Sequence, residues 1–196
     1  KTAAKADLAA EQAEYRKLQS QEAKISAEIR RRAEIARKKA AAAEAKRRAA
    51  AKKAGKTYVP RNQSSKGFIR PVNVSPGSPF GLRYHPILHV WRMHRGTDFG
   101  ATCGMAIYAA NDGRVASAGR QGGFGNYTVI DHGIIGGKYV STGYAHQSRI
   151  IVHRGQRVKQ GQLIGYVGTT GLSTGCHLHL QVYVNGGVVN PMRYIP

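Results

Sequence analysis

His94, Asp98, His177 and His179 are spaced so that metal-binding donors come together in pairs. The run His94-Arg95-Gly96-Thr97-Asp98 carries an imidazole and a carboxylate four residues apart. In His177-Leu178-His179 two imidazoles lie two apart, and on an extended strand residues i and i+2 share a face. A hydrolytic zinc site commonly uses three N or O donors and keeps a fourth position for water. His94, Asp98 and one of the pair His177/His179 supply that set with one negative charge. A bound ion then stays net positive, which acidifies its water and polarises a carbonyl. Spacing leaves open which of His177 and His179 binds metal and which is free for proton transfer. His146, closing the run Tyr144-Ala145-His146, is a second candidate for catalysis.

Composition narrows the chemistry. From residue 57 onward the only carboxylate side chains are Asp98, Asp112 and Asp131, and there is no Glu. This excludes a His-Glu-x-x-His zinc hydrolase, whose Glu serves as general base. Proton transfer falls to histidine, and all eight histidines lie in this half. His85, His89, His132 and His153 lack ligand spacing and read as structural or surface residues.

The elements that must position these groups divide the chain. Residues 1–56 hold 17 Lys and Arg against 7 Asp and Glu, many Ala, no Pro and no Gly before Gly55, the composition of a long helix. Leu8, Tyr15, Leu18, Ile25, Ile29 and Ala36 fall near a seven-residue repeat, so the helix is expected to lie against a partner helix or the following domain. The alternative is a charged spacer. Past Ile35 the seam dissolves into Ala, Lys and Arg, which predicts a solvated or frayed end. Residues 57–79 turn to Gly, Pro and Ser, with Pro60, Gly67, Pro71, Pro76 and Pro79, and read as a linker leading into an extended segment. Beyond lie short β-type runs at 105–110, 114–118, 127–131, 139–146, 162–167 and 177–184, punctuated by Gly and Asn, without helical period. An all-β domain of antiparallel sheets follows. In the last run Leu178, Leu180, Val182 and Val184 alternate with His177, His179, Gln181 and Tyr183, giving one core face and one cleft face. A slip by one residue would bury the histidines.

Cys103 and Cys176 each lie close to one half of the candidate site and have no Cys-x-x-Cys spacing, which argues against a separate structural zinc. A disulfide between them would pin the two ligand clusters together and place the domain outside the reducing cytosol. The net charge of +21 calls for an anionic partner or surface. No helix-turn-helix, zinc-finger or RNA-recognition pattern is present, so no specific nucleic acid is expected and an anionic cell-wall polymer fits better. No apolar run approaches the roughly 20 residues that span a bilayer. A chain opening at Lys1 on helical pattern reads as part of something longer.

Phe80-Gly81-Leu82-Arg83, His94 to Asp98, Ala109 to Gly113, Gly125-Asn126, Tyr144-Ala145-His146, Gly155 to Gly165 and Gly168 to His179 together resemble the lysostaphin-type (LytM, M23) zinc endopeptidases, which cut peptide cross-links of bacterial peptidoglycan. The resemblance spans about Phe80 to Val184. It implies a duplicated-hybrid-motif β domain over 80–196 whose sheets form a groove. It assigns one Zn2+ to His94, Asp98 and His179, and catalysis to His146 and His177. Asn126, Tyr144, Ser173 and Thr174 are the candidate substrate contacts. Gln147, where the family usually has Leu, and Gln181, where it often has Glu, depart from the pattern without touching the ligands. The implied substrate is peptidoglycan peptide in an extracytoplasmic space, with the arm free to cover the groove or to bind a membrane or divisome protein, or the chain tethered through a segment before Lys1. The competing reading is a binding module of this fold that activates a separate wall amidase through its helical arm.

Overall fold

Fifty-two residues free of Gly and Pro and rich in good helix formers fold as one helix, α1 (Thr2–Lys53). A computed structural model describes residues 2–58, 67–85 and 90–196, with side chains of α1 from Ala9 onward. Pro60 and His89, and the side chains of Leu8 and His85, lie outside the described residues. The helix ends in a left-handed Gly55 (φ 63°), with Lys56 N–H donating to Ala51 O at 3.0 Å and Gly55 N–H to Lys52 O at 3.2 Å. This two-bond cap satisfies carbonyls that the last turn leaves without intrahelical donors.

One stripe of α1 is covered by the rest of the chain: Tyr15, Leu18, Glu22, Ile25, Ile29, Ala33 and Ala36. The stripe follows helical spacing, and Ile29 and Ala33 are buried against Phe124, Tyr127, Val129, Tyr139, Ala145 and Tyr183. The arm therefore docks on the chain's own domain over this stretch, which removes the charged-spacer reading for it. Beyond Ala36 most of the helix is exposed, as its loss of apolar residues foretells. No described helix is long and apolar enough to cross a membrane.

A short hairpin follows, β1 (Gly81–His85) with β2 (Val90–His94), then β3 (Thr97–Gly100), β4 (Ala106–Tyr108), β5 (Gly113–Arg120), β6 (Asn126–Ile135) and β7 (Lys138–Gln147). The chain continues through β8 (Arg149–Ile150), β9 (Arg157–Val158), β10 (Leu163–Tyr166), β11 (His177–Val184) and β12 (Gly187–Val189). A seven-stranded antiparallel sheet runs in the order β12, β11, β7, β6, β5, β9, with β3 also paired to β11. A second sheet has β10 between β4 and β8. The hairpin turn joining β11 and β12 is Asn185-Gly186, both at positive φ (53° and 86°), the twist-matched turn of two-residue loops.

The large sheet is buried on both faces, for different reasons. Val140, Tyr144, Ile130, Leu178, Leu180 and Val182 face Ile107 and Ile164 of the smaller sheet in one core. Residues 68–72 join that core through Phe68 and Val72, and Tyr108 N–H donates to Pro71 O at 2.8 Å, so the extended segment before β1 is built into the domain. On the opposite face Tyr127, Ala145 and Tyr183 lie under α1. The face of β11 expected to line a cleft is thus divided: His177 and His179 sit at its start, while Tyr183 is covered by the arm and Gln181 is buried beside it.

Because Ile29 is fully buried at that seam, Ile29→Ala should weaken arm docking by about 2–4 kcal/mol. Hydrogen exchange checks this: amides of residues 18–36 should exchange faster while those of β6, β7 and β11 stay protected. Uniform loss of protection would mean that arm and domain unfold as one unit.

Candidate metal centre and histidine pair

Two neighbouring strands bring the distant sequence clusters together. β3 pairs with β11 in a register that sets Asp98 opposite His179 and Gly100 opposite His177. His94, the last residue of β2, enters from the side. Its Nε2 lies 3.1 Å from Asp98 Oδ1 and 3.1 Å from His179 Nδ1, and His179 Nδ1 lies 2.7 Å from Asp98 Oδ1. Ligands held at about 2.0–2.1 Å around a tetrahedral ion stand about 3.3 Å apart, so these three atoms have nearly the spacing that zinc requires. They are a group able to hold a metal ion.

The electrostatics fit a cation. Burial acts to raise the Asp98 carboxyl, but the adjoining His179 and His94 imidazoles outweigh it and hold the group well below its ordinary value. Burial pushes the His179 imidazole down, against Asp98, which favours its charged form. An anionic carboxylate and neutral imidazoles are the protonation states that metal ligation needs.

Backbone carbonyls set the tautomers, since a carbonyl can only accept. His94 Nδ1–H donates to Pro79 O at 2.7 Å, which leaves Nε2 as the lone-pair nitrogen aimed at Asp98. His146 Nδ1–H donates to Thr170 O at 2.8 Å and His177 Nδ1–H to Gly175 O at 2.9 Å, again freeing each Nε2. The His146 and His177 ring centroids are 4.7 Å apart, and His177 Nε2 is 3.8 Å from Asp98 Oδ1. Burial first, then the nearby His179 and His177, push His146 down to about 4 against the bond from its backbone partner, so it is neutral near pH 7.

His146 reaches this place through a local break in β7. By strand alternation it would share the core face of Tyr144. Instead β7 carries a register shift against β6 between the pairs Asn126/Gln147 and Thr128/Tyr144, and His146 has φ 60°. A bulge of this kind re-aims one side chain. A left-handed, non-glycine residue costs free energy of order 1–3 kcal/mol and is held where surrounding structure over-determines it. Gly96 shows the site's tightness from the other side, because an added Cβ would meet His179 Nε2 at 2.6 Å.

The remaining expected site residues are placed differently from one another. Ser173 Oγ lies 3.3 Å from His177 Nδ1, and Thr174 is exposed on the same loop. Asn126 donates Nδ2–H to Gln147 O at 3.0 Å, and its own N–H is accepted by Thr170 Oγ1 at 2.9 Å, which ties it to the loop behind His146. Tyr144 corrects the sequence reading: it is fully buried, and its hydroxyl accepts from Ala110 N–H at 3.0 Å and bonds Thr142 Oγ1 at 2.8 Å, so it faces the core. His132 is held between Asp112 O and Thr142 Oγ1, and His153 is exposed. Gln181, in the place often taken by Glu, accepts from the hydroxyls of Tyr127 and Tyr183 and donates to Arg95 O at 3.1 Å. The structural carbonyls of Pro79, Thr170 and Gly175 escaped sequence reading because no residue type marks them.

Cys103 and Cys176 form a disulfide, with Cα atoms 5.2 Å apart and a sequence separation of 73. It joins the turn after β3 to the loop that enters β11, so the strands carrying Asp98 and His179 share one covalent clamp. Replacing both cysteines by Ser should lower stability by about 4–5 kcal/mol on loop entropy. Chemical denaturation of the oxidised protein against the double variant measures it, and equal midpoints would show that the bridge is dispensable.

A profile of peptidase family M23 matches residues 92–191. The DD-carboxypeptidase/endopeptidase Mpg of Neisseria meningitidis serogroup B is 47% identical over 132 residues, 66% of this chain and 30% of that protein. The murein hydrolase activator NlpD of Salmonella dublin is 40% identical over 104 residues, 53% of this chain and 26% of that protein. The chain thus spans less than a third of the length of these curated relatives. Among solved structures, a zinc-containing peptidase from Vibrio cholerae superposes with a TM-score of 0.60 at 36% identity, over 65% of this chain and 40% of that one.

Proposed function

The chain belongs to peptidase family M23, and from that membership we propose that it is a zinc-dependent endopeptidase that hydrolyses peptide cross-links of bacterial peptidoglycan in an extracytoplasmic space. The observation that carries this reading is the convergence of His94 Nε2, Asp98 Oδ1 and His179 Nδ1 beside a second pair of imidazoles with free Nε2 atoms. His94, Asp98 and His179 would hold one zinc ion, which when bound acidifies water and polarises the scissile carbonyl.

The chain's own groups then divide the proton work. His146 and His177 present lone-pair Nε2 atoms on one side of the centre, each oriented by a backbone carbonyl. One takes the proton of the attacking water, and the other stabilises the developing oxyanion or passes a proton to the leaving amine. Ser173 and Thr174, on the loop beside His177, are proposed to meet the substrate peptide, with Asn126 holding the same loop at Thr170.

Digestion of purified cell walls, followed by mass analysis of the fragments, tests the function. Released cross-link peptides, lost with a chelator and restored by zinc, are expected; intact walls at every zinc concentration would remove the reading. A pH profile adds detail. A base of ordinary histidine pKa would lose half its activity near 6.5. Because His146 is pushed down to about 4, it stays neutral well below that value, and the acid limb should be centred near pH 4. An acid limb centred at 6.5 or above would take His146 out of the base role.

The likeness to a murein hydrolase activator, together with the helical arm, favours a second reading in which the chain activates a separate wall amidase. Amidase release of wall peptides, with and without the chain, separates the two, since only an activator needs the added enzyme. In either case the basic end of α1, including Lys46, Arg47, Arg48, Lys52 and Lys53, is proposed to meet anionic wall polymers.

A further inference from the structure

Arg92 and Arg95 flank His94, and their charges are met from outside the β domain. Arg92 shares a face of β2 with His94, two residues on. Its Nη1 lies 3.1 Å from Glu11 Oε1, and its guanidinium lies 4.6 Å from the centre of the Tyr15 ring. Arg95 Nε lies 2.7 Å from Glu22 Oε1. Its backbone is fixed to the floor of the site, because its carbonyl accepts from Gln181 two residues after His179 on β11. All three anchoring residues, Glu11, Tyr15 and Glu22, belong to α1.

The domain has no acid to spare for these cations. Asp98 is engaged by His94 and His179, Asp131 by Arg32 and Ser141, and Asp112 by Gln160 and Lys159. Among the described residues the ion-pair partners of Arg92 and Arg95 come from α1 alone. On the opposite wall Gly123 N–H donates to Gln21 Oε1 at 3.0 Å, and Leu18 lies close to Gly123, which also adjoins Leu172 at the start of the loop carrying Ser173. The helix therefore bridges the β2 wall and the wall that positions His177.

We propose that Arg92 and Arg95 form a subsite for the free carboxylates of a substrate peptide, and that α1 fills it in this structure with Glu11 and Glu22; the substrate part of this proposal rests on the endopeptidase reading above. Planar guanidinium groups bind carboxylates through paired, charge-assisted hydrogen bonds, so each of them favours a free carboxylate over its amide. The occupant can be displaced. Arg95 keeps about half of its side chain exposed (48%), and a cleft of about 350 Å³ lined by Glu22, Arg30, Arg95 and Gly186 opens beside the pair. Burial pushes the Glu22 carboxyl up, against Arg95, so its docking carries a desolvation cost.

Calorimetry on the full chain tests the subsite without turnover, in a His177→Ala background. The probes are a cross-linked peptidoglycan peptide fragment with free carboxylates and the same fragment with its carboxylates amidated. Glu11→Lys/Glu22→Lys places cations against Arg92 and Arg95 and should raise affinity for the acidic fragment about tenfold, with little gain for the amide. Arg92→Gln/Arg95→Gln, with the arm unaltered, should abolish the preference for acid over amide and serves if the charge-reversed arm compromises folding. Equal affinity for both fragments, no binding of either, or a preference that survives loss of both arginines would overturn the subsite. Cleavage of the same fragments is read separately in chains that keep His177. Selective binding with no cleavage by any of them would remove the endopeptidase reading and leave the subsite standing.

Discussion

His179→Ala should lose metal and activity together. His179 Nδ1 makes the shortest of the three donor contacts, 2.7 Å to Asp98 Oδ1, and it is carried on the central strand pairing of β11 with β3 and β7. Its removal leaves one imidazole and one carboxylate, short of the three protein ligands that a hydrolytic zinc site commonly uses. Outer groups that merely orient a ligand already change affinity by about 10–100-fold, so loss of a ligand should exceed about 100-fold. The variant should come through purification with little zinc and show no wall hydrolysis at ordinary zinc concentrations. The fold should survive, because the disulfide and both cores do not depend on this ring. Metal analysis beside circular dichroism makes the measurement. A folded His179→Ala protein with one tightly held zinc would return His177 to the ligand set.

The converse substitutions probe second contacts. Asp98 is the only carboxylate in the centre, and two imidazoles hold it anionic against the pull of burial. With the ion present its charge is matched; without it, His94 and His179 are the groups that share the load. This is why the four-donor group was legible from residue types, since such donors in a region nearly free of acids have few alternative uses, while the choice of His179 over His177 came only from the family resemblance. The register of β11 was legible for a related reason, since Leu178, Leu180 and Val182 can satisfy the core in only one phase. The same parity, applied to β7, places Tyr144 beside Val140 and Thr142 on the core side, so its placement was readable and was overridden by the motif around it.

Other parts had no signal in the chain. His146 shares the parity of Tyr144 yet faces the opposite way, because a register shift and a positive φ intervene between them. Nothing in Tyr144-Ala145-His146 announces a bulge. Glu22 stands in the buried stripe of α1, where helical periodicity expects an apolar residue, and only its partner Arg95 explains it. The seam of the arm was readable from Leu18, Ile25 and Ile29, but not which surface it covers, since Tyr127 and Tyr183 come from strands far along the chain.

His177→Ala should lose turnover and keep the metal. The ring is partly exposed, its Nδ1–H is committed to Gly175 O, and its Nε2 stands 3.8 Å from Asp98 Oδ1, outside the 2.7–3.1 Å spacing of the three ligand atoms. Removing it therefore leaves the donor set intact, whereas the proposed partner of His146 in proton transfer is gone. A positioned acid or base contributes about 10²–10⁴-fold, and kcat should fall by that amount with KM little changed. His146→Ala should lower kcat similarly; Ala at φ 60° gains nothing over His in the left-handed region and loses the bond to Thr170 O, so the variant should be no more stable than the parent. The double variant should be scarcely worse than either single one, because two groups that serve one proton path act as a unit. Multiplicative losses would assign the two histidines to independent steps, and a zinc-loaded His177→Ala protein that cleaves walls at the original rate would leave His146 to carry the proton transfer alone.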